Sequence, residues 1–250
     1  MPSNSPQFEA GLKQRKVIEL INQLVFRPLG FLVVRLLWVS PVRPEHLVIA
    51  HGVLGFLAAF FLVQQRFLAA AILLQLVTVL DNADGQLARS RGQESLLGRY
   101  LDTEVDFLVH IAIFVALAQV CGLQPAFIGL AMLTLLLSLD HNLVAVAQEK
   151  AAIKPEQGLE KRLGDVYRAI FGWQDSLLQR LERGLPKPPA WFYWLIANLG
   201  RTTQFVVLGI ALAVGRPCGY LVFIYLATFI IFLVYASRIW AKAANSQSPR

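Results

Sequence analysis

Six stretches of the sequence are apolar and long enough to cross a lipid bilayer, and they constrain the fold more than any other feature. A transmembrane α-helix needs about 20 mostly apolar residues. The six stretches are 47–64, 67–89, 95–122, 126–148, 190–214 and 219–240. Apolar residue types make up 56% of the chain and charged types only 16%, below the quarter that is usual in soluble domains. The sequence therefore predicts an all-α integral membrane protein with six transmembrane helices.

The chain divides into three parts around these predicted spans. Residues 1–44 mix apolar side chains with several Lys and Arg, which predicts an amphipathic helix lying in the membrane interface. Residues 45–242 form the predicted six-helix transmembrane domain, which includes a long loop at 150–189. Residues 243–250 form a polar tail.

The distribution of positive charge predicts which side of the membrane each loop faces. Residues 1–44 carry six Lys or Arg and residues 150–189 carry eight, whereas the turns on the opposite side carry only Arg66 and Arg216. Positively charged loops tend to stay in the cytoplasm, so we expect both termini and the long loop there. The net charge of +7 then reflects topology and anionic lipid headgroups, not nucleic acid binding.

Two cysteines, Cys121 and Cys218, fall near the outer ends of the third and sixth predicted spans. Two are too few for a disulfide framework. The sequence leaves open whether they pair across the bundle or are two small buried residues.

Four aspartates are concentrated where the second predicted span ends and the third begins. Asp81 and Asp84 lie three residues apart, and Asp102 and Asp106 lie four apart, so each pair shares one helix face. The loop between the two helices, 90–94, is short, which predicts that they are antiparallel neighbours. We therefore expect the four carboxylates to meet at the cytoplasmic end of the bundle.

Charged side chains inside a membrane are costly and usually functional. Carboxylate ligands favour hard divalent cations such as Mg²⁺, Mn²⁺ or Ca²⁺, and two such ions would balance four aspartates. Arg89 lies five residues after Asp84 and has a forked guanidinium that suits a phosphate. Gly85 and Gly98 allow a close approach of ligand and backbone. Together these residues indicate phosphoryl or phosphodiester transfer by two metal ions.

Two other interpretations of the aspartates stay open at this stage. Intramembrane acids can line a cation pathway, so a divalent-cation transporter or channel is the main alternative, although a pathway would distribute acids along the membrane depth. A structural ion-pair network is the other, with Arg89, Arg91 and Arg99 as partners. An EF-hand loop is excluded, because Gly85 at its sixth position puts Leu80 at the first and Arg91 at the twelfth.

The spacing of these residues resembles the signature of CDP-alcohol phosphotransferases, a family of integral membrane enzymes. The matching positions read Asp81-x2-Asp84-Gly85-x2-Ala88-Arg89-x8-Gly98-x3-Asp102-x3-Asp106. The resemblance implies a homodimer of six-helix protomers whose site opens to the cytoplasm. It also implies transfer of a phospho-alcohol or phosphatidyl group from a CDP-linked donor to an alcohol or lipid acceptor, with release of CMP, in phospholipid biosynthesis.

The resemblance further implies a role for each matching residue. Two Mg²⁺ or Mn²⁺ ions, with Ca²⁺ as a non-productive occupant, would be bound by Asp81, Asp84, Asp102 and Asp106. Asp106 would also be the general base. The nucleotide would contact Asp81, Gly85, Ala88, Arg89 and Gly98. The family often shows Pro-Asn-x-x-Thr before its first span, whereas residues 44–48 here read Pro-Glu-His-Leu-Val, which leaves the subfamily undefined.

Polar residues outside the signature have less specific interpretations. Asp140, His141 and Arg201 interrupt apolar spans. One interpretation is that Asp140 and Arg201 form a buried ion pair, because buried charges are usually paired. The other is that these residues line an acceptor or lipid pocket. His110 continues the aspartate stripe one turn deeper and is interpreted as a core histidine. We assign no role to His51 from the sequence.

Overall fold

The described part of the chain is built from helices, and no strand occurs in it. The structure is a computed structural model that describes residues 11, 17–139, 158, 161–162, 165, 176, 180, 182 and 185–247. A π-helical turn at Asn22–Phe26 leads into the first α-helix. The α-helices are α1 Arg27–Leu37, α2 Pro44–Val63, α3 Phe67–Arg91, α4 Leu96–Cys121, α5 Leu123–Leu139, α6 Ala190–Asn198, α7 Arg201–Ala213 and α8 Gly219–Gln247. The predicted all-α class is confirmed.

Several of these helices are long and apolar enough to cross a membrane, as expected for a multi-pass membrane protein. Within the described residues, α2, α3, α4 and α8 each meet this condition. Helices α6 and α7 meet it together, but they are bent by 54° where they join. The described residues therefore give four spans, or five with the bent pair, and not the six predicted. The predicted fourth span begins in α5, and its residues beyond 139 lie outside the described ones.

The predicted single span at 190–214 is broken at Gly200. Its backbone, with ψ of 177°, leaves the helical conformation, and a new helix begins at Arg201. The Gln204 side chain donates a hydrogen bond to the Leu199 carbonyl oxygen over 3.0 Å, which satisfies a backbone group that the break would leave unpaired. The Asn198 side chain donates another to the carbonyl of Ile18. The break places Arg201 at the start of α7 and ties this joint to the N-terminal segment.

Helix α1 packs against α3 through a close backbone contact. Gly30 and Val34 are buried there, and a Cβ on Gly30 would lie 3.1 Å from the backbone nitrogen of Ala83. The Arg91 guanidinium at the end of α3 donates hydrogen bonds to backbone carbonyls just after α1. That use of Arg91 fixes α1 beside α3, whereas the interfacial location of residues 1–44 stays a prediction.

Helix α2 lies against both aspartate-bearing helices. Its principal contacts are with α3 and with α4. The ends of α3 and α4 nevertheless bring Asp81, Asp84 and Asp102 together, as expected for antiparallel neighbours. Small residues explain the arrangement: a Cβ on Gly52 would lie 2.7 Å from a Val105 methyl, and one on Gly55 would lie 2.5 Å from a Val109 methyl. Because these glycines let α2 approach α4 closely, the residue next to Gly52, His51, lies beside the aspartates.

The turn between α3 and α4 is short and capped at both ends. Gly92 ends α3 in the left-handed conformation with φ of 64°, and the nitrogen of Gln93 donates to the Ala88 carbonyl over 2.8 Å, a common helix ending. The Ser95 hydroxyl then accepts from the Gly98 nitrogen and caps α4. The chain reverses within a few residues, and the acidic ends of both helices come to the same side.

A disulfide joins the opposite end of the bundle. Cys121, at the end of α4, is bonded to Cys218, just before α8, and their Cα atoms are 5.6 Å apart. The pairing that the sequence left open is therefore present. Cys121 lies about 19 residues beyond Asp102, or about 28 Å along a helix.

Candidate active site

Three of the signature aspartates meet a histidine at one end of the bundle. One ligand atom from each of His51, Asp81, Asp84 and Asp102 lies within 4.8 Å of the other three. Asp84 is buried, whereas Asp81 and Asp102 are partly exposed, so the group is reachable from one side. The side chains come from α2, α3 and α4, and we refer to these four residues as the acidic cluster.

His51 is the member of the acidic cluster that sequence reasoning missed. It is wholly buried, its Nδ1 lies 3.5 Å from an Asp84 oxygen, and its Nε2 lies 3.6 Å from an Asp106 oxygen. His51 is outside the signature and comes from a different helix, so spacing along α3 and α4 could not indicate it. The signal that was available is the pair of small residues after it, Gly52 and Gly55, which predict a close helix contact at this position.

Asp106 lies beside the acidic cluster and forms an ion pair with Arg201. The same guanidinium is 3.7 Å from an Asp81 oxygen. A small cleft at this point is lined by Asp81, Asp106, Arg201, Thr202 and others. Arg201 therefore supplies positive charge to the aspartates from the start of α7. The alternative Asp140–Arg201 pair cannot be compared directly, because Asp140 and His141 lie outside the described residues.

His110 lies one turn beyond Asp106 and is fully surrounded by protein. Its Nδ1 is 2.7 Å from the Asp106 carbonyl oxygen, and its ring stacks on Phe205 with 4.8 Å between centroids. These contacts agree with the interpretation of His110 as a core histidine that links α4 to α7.

The residues predicted to contact the nucleotide lie at the same end of the bundle. Gly85, Ala88, Arg89 and Gly98 are all partly exposed. A Cβ on Gly85 would lie 3.0 Å from an Arg89 nitrogen, so Gly85 leaves the space in which the guanidinium lies. The Arg89 Nε donates to the Gly11 carbonyl over 2.8 Å. The structure thus places Arg89 next to Asp84 and the acidic cluster, with the N-terminal segment on its other side.

The donor set of the acidic cluster fits a divalent cation. Both ring nitrogens of His51, one oxygen of Asp84 and one of Asp102 are buried without a hydrogen-bond partner among the described residues. Buried polar atoms without partners are costly, and a cation would satisfy one His51 nitrogen and both carboxylate oxygens at once. Carboxylate oxygens with one imidazole suit Mg²⁺, Mn²⁺ and related ions.

The fold and the site together define a multi-pass helical membrane protein with a group of Asp and His side chains, suited to a metal ion, at one end of its bundle. Residues 42–162 match the family model described as CDP-alcohol phosphatidyltransferase. The resemblance drawn from the sequence is confirmed over these residues. The matched segment contains α2, α3 and α4, and therefore His51 and every signature residue.

A curated relative is also similar to this part of the chain. It is the "Bifunctional IPC transferase and DIPP synthase" of Thermococcus kodakarensis, 34% identical over 100 residues. The match covers 40% of this chain and 23% of the relative. The chain therefore spans less than a quarter of the relative's length.

Proposed function

We propose that this protein is a metal-dependent CDP-alcohol phosphotransferase of phospholipid biosynthesis. It transfers a phospho-alcohol or phosphatidyl group from a CDP-linked donor to the hydroxyl of an alcohol or lipid acceptor and releases CMP. The observation that carries the proposal is the acidic cluster beside Asp106, inside the segment that matches the CDP-alcohol phosphatidyltransferase family model. The name of the curated relative, a transferase and synthase, agrees with this class of reaction.

The aspartates of the acidic cluster would hold one or two Mg²⁺ or Mn²⁺ ions. Bound there, the ions would neutralise charge on the donor's diphosphate and on the departing CMP. Helix α2 packs against both helices that carry Asp81, Asp84 and Asp102, and it therefore holds these three ligands in place relative to one another. Arg89, which lies over Gly85, and Gly98 would receive the nucleotide, with the guanidinium directed to the donor phosphates.

Asp106 is the proposed general base. An acceptor hydroxyl becomes a good nucleophile only when a base within hydrogen-bond reach takes its proton. Asp106 lies at the edge of the cleft and faces Arg201, whose positive charge favours the ionised carboxylate that this role requires. Arg201 and Thr202 then line the side from which the acceptor would enter, together with Asp140 and His141 if the fourth span continues as predicted.

The structure gives the transporter alternative little support. The acidic residues are gathered at one end of α3 and α4, whereas the deeper part of the bundle is a hydrophobic cluster that includes Leu74, Ile113 and Leu208. A cation pathway would need polar groups through that region. The ion-pair alternative also loses a partner, because Arg91 is bound to backbone carbonyls.

The orientation and assembly belong to the same proposal. We place the active site and both termini on the cytoplasmic side, in accord with the positive loops. The disulfide at the opposite end of α4 supports this orientation, because disulfides persist in oxidising compartments. A homodimer is proposed from the family resemblance. Helix α8 has exposed apolar residues that a second protomer or lipid would cover, among them Leu226, Phe229 and Leu233.

The deciding experiment is a CMP-release assay on purified protein in detergent or nanodiscs. The protein is supplied with Mg²⁺ or Mn²⁺, a CDP-linked lipid or alcohol donor, and a panel of acceptors that includes glycerol phosphate, inositol phosphate, serine and diacylglycerol. We expect CMP and one new lipid product identified by mass, and no CMP when EDTA is present. Divalent-ion flux across sealed vesicles without any CMP would instead support the transporter.

A further inference from the structure

His51 belongs to the acidic cluster, and no hydrogen bond among the described residues explains its buried position. Its side chain has 0% exposure, and neither ring nitrogen has a hydrogen-bond partner among the described residues. Burying an imidazole without partners costs free energy. A residue that only filled space between α2, α3 and α4 would be better supplied by an apolar side chain, as at the neighbouring Leu47 and Val48.

The distances around one ring nitrogen fit metal coordination. Nδ1 lies 3.5 Å from an Asp84 oxygen, and the ligand atoms of the acidic cluster are all within 4.8 Å of one another. Adjacent ligands of an octahedral ion with bonds of about 2.1 Å lie about 3 Å apart, and opposite ligands about 4.2 Å apart. The largest spacing in the acidic cluster, 4.8 Å, is close to the distance between opposite ligands.

The other ring nitrogen faces the proposed general base. Nε2 lies 3.6 Å from an Asp106 oxygen, just beyond hydrogen-bonding distance. Histidines that bind a metal through one nitrogen commonly donate the other N–H to a carboxylate, which fixes the tautomer and the ring orientation. His51 has a carboxylate on each side and matches this arrangement.

We propose that His51 is a direct ligand of the divalent cation held by Asp81, Asp84 and Asp102, and that its nitrogen makes this site prefer Mn²⁺ to Mg²⁺. The inference rests on the metal-binding part of the proposed function. Mg²⁺ strongly favours oxygen ligands, whereas imidazole is a better ligand for transition metals. A site of aspartates alone, as the signature implies, would lack this preference. In this arrangement His51 also orients Asp106 relative to the ion.

The wild-type protein provides the most direct test. Protein in nanodiscs is loaded with Mn²⁺ alone, without nucleotide or acceptor, and examined by electron spin echo envelope modulation. We expect the modulation of a directly bound ¹⁴N, which is lost when ¹⁵N-histidine is incorporated and replaced by the ¹⁵N pattern. Bound Mn²⁺ without nitrogen modulation would overturn the role of His51 and leave the proposed transfer reaction standing. Failure to bind Mn²⁺ at all would overturn the His51 proposal, whereas the metal dependence of the reaction would still be decided by CMP release with Mg²⁺ and with EDTA.

A substitution tests the metal preference. His51→Gln keeps a polar side chain but removes the imidazole, and we expect Mn²⁺ affinity, measured from the signal of free Mn²⁺, to fall at least about tenfold. Mg²⁺ affinity, measured by competition, is expected to change by less than about threefold. The matched control is His46→Gln on the same helix, whose side chain is exposed and accepts a hydrogen bond from the Arg43 nitrogen. It should leave both affinities unchanged. Equal losses for both metals in the folded His51 variant, judged by size-exclusion profile, would contradict the proposed preference.

Discussion

Arg201 is the basic side chain that faces the aspartates from the start of α7. It pairs with Asp106 and lies 3.7 Å from an Asp81 oxygen. A guanidinium and a divalent cation both compensate carboxylate charge, so they compete electrostatically for the same aspartates. We therefore expect Arg201 to lower the affinity of the site for cations and to orient Asp106.

Replacing Arg201 with Gln should separate these two effects. We expect Mn²⁺ affinity to rise roughly tenfold, because a nearby positive charge is removed, while CMP release falls at least about tenfold. Isothermal titration with Mn²⁺ and the CMP assay provide the two readouts. Arg216→Gln is the control, since Arg216 is exposed in a turn distant in sequence from the aspartates. Weaker Mn²⁺ binding by the Arg201 variant would contradict the competition.

Asp106→Asn should abolish turnover and leave donor binding intact. The amide keeps the size of the side chain but cannot accept the acceptor's proton, so CMP release should fall by about a hundredfold or more. The control is Glu104→Gln, two residues away on α4, where the side chain is exposed. It should retain the wild-type rate. A near-normal rate for the Asp106 variant would eliminate this residue as the base.

At the scale of helices, the spacing of residues along the sequence predicted those features of the site that depend on a single helix or a single short loop. The pairs Asp81–Asp84 and Asp102–Asp106 share faces because of the helical period, and the short turn at Gly92 brings both pairs to one side. The contribution of α2 could not be predicted in this way. It depends on which helix face packs against α4, and a nearly uniformly apolar membrane helix does not show that face in its hydrophobic pattern.

The break at Gly200 could not be predicted from the sequence either, because it also depends on tertiary contacts. Residues 190–214 have the length and composition of one span, and composition alone does not show a 54° bend. The break is stable because side chains such as Gln204 satisfy the freed carbonyl groups. The polar run that begins at Arg201 was visible, but its consequence, a helix start directed at Asp106, depends on tertiary packing.

The glycine contact between α2 and α4 should control both stability and metal binding. Gly55→Ala places a Cβ 2.5 Å from a methyl of Val109, and a β-branched side chain has little freedom to move. We expect a loss of roughly 1–3 kcal/mol in stability and weaker Mn²⁺ binding, because α2 carries His51. Thermal unfolding in detergent and Mn²⁺ titration measure the two effects.

Two further variants control this experiment. Gly55→Ala combined with Val109→Ala removes the two clashing methyls and leaves only the Val109 Cβ, at 3.1 Å. It should recover most of the stability, which identifies the contact as the cause. Gly219→Ala adds a methyl where no atom lies within 4 Å and should have no adverse effect. If Gly55→Ala alone is as stable as the wild type, the close packing of α2 on α4 is contradicted.

For the whole molecule, the disulfide and the acidic cluster mark opposite ends of the bundle. Helix α4 separates them by about 28 Å, close to the thickness of a bilayer core. The two ends should therefore face different compartments, an oxidising one at Cys121–Cys218 and a cytoplasm that supplies nucleotide at the aspartates. The positive loops predict the same orientation from independent residues.

Labelling in sealed vesicles tests this orientation directly. In right-side-out vesicles, a membrane-impermeant reductant followed by a maleimide should modify Cys121 and Cys218, and in inverted vesicles it should not. A second variant combines Gln93→Cys with Cys121→Ser and Cys218→Ser, so that its only cysteine lies in the loop beside the aspartates. This cysteine should be labelled in inverted vesicles and not in right-side-out ones. Its exposed position in the turn after α3 makes it accessible without disturbing a helix. If both ends label from the same side, the chain does not cross the membrane as proposed. If each labels from the side opposite to the prediction, the aspartates face away from the cytoplasmic nucleotide pool and the proposed reaction loses its donor.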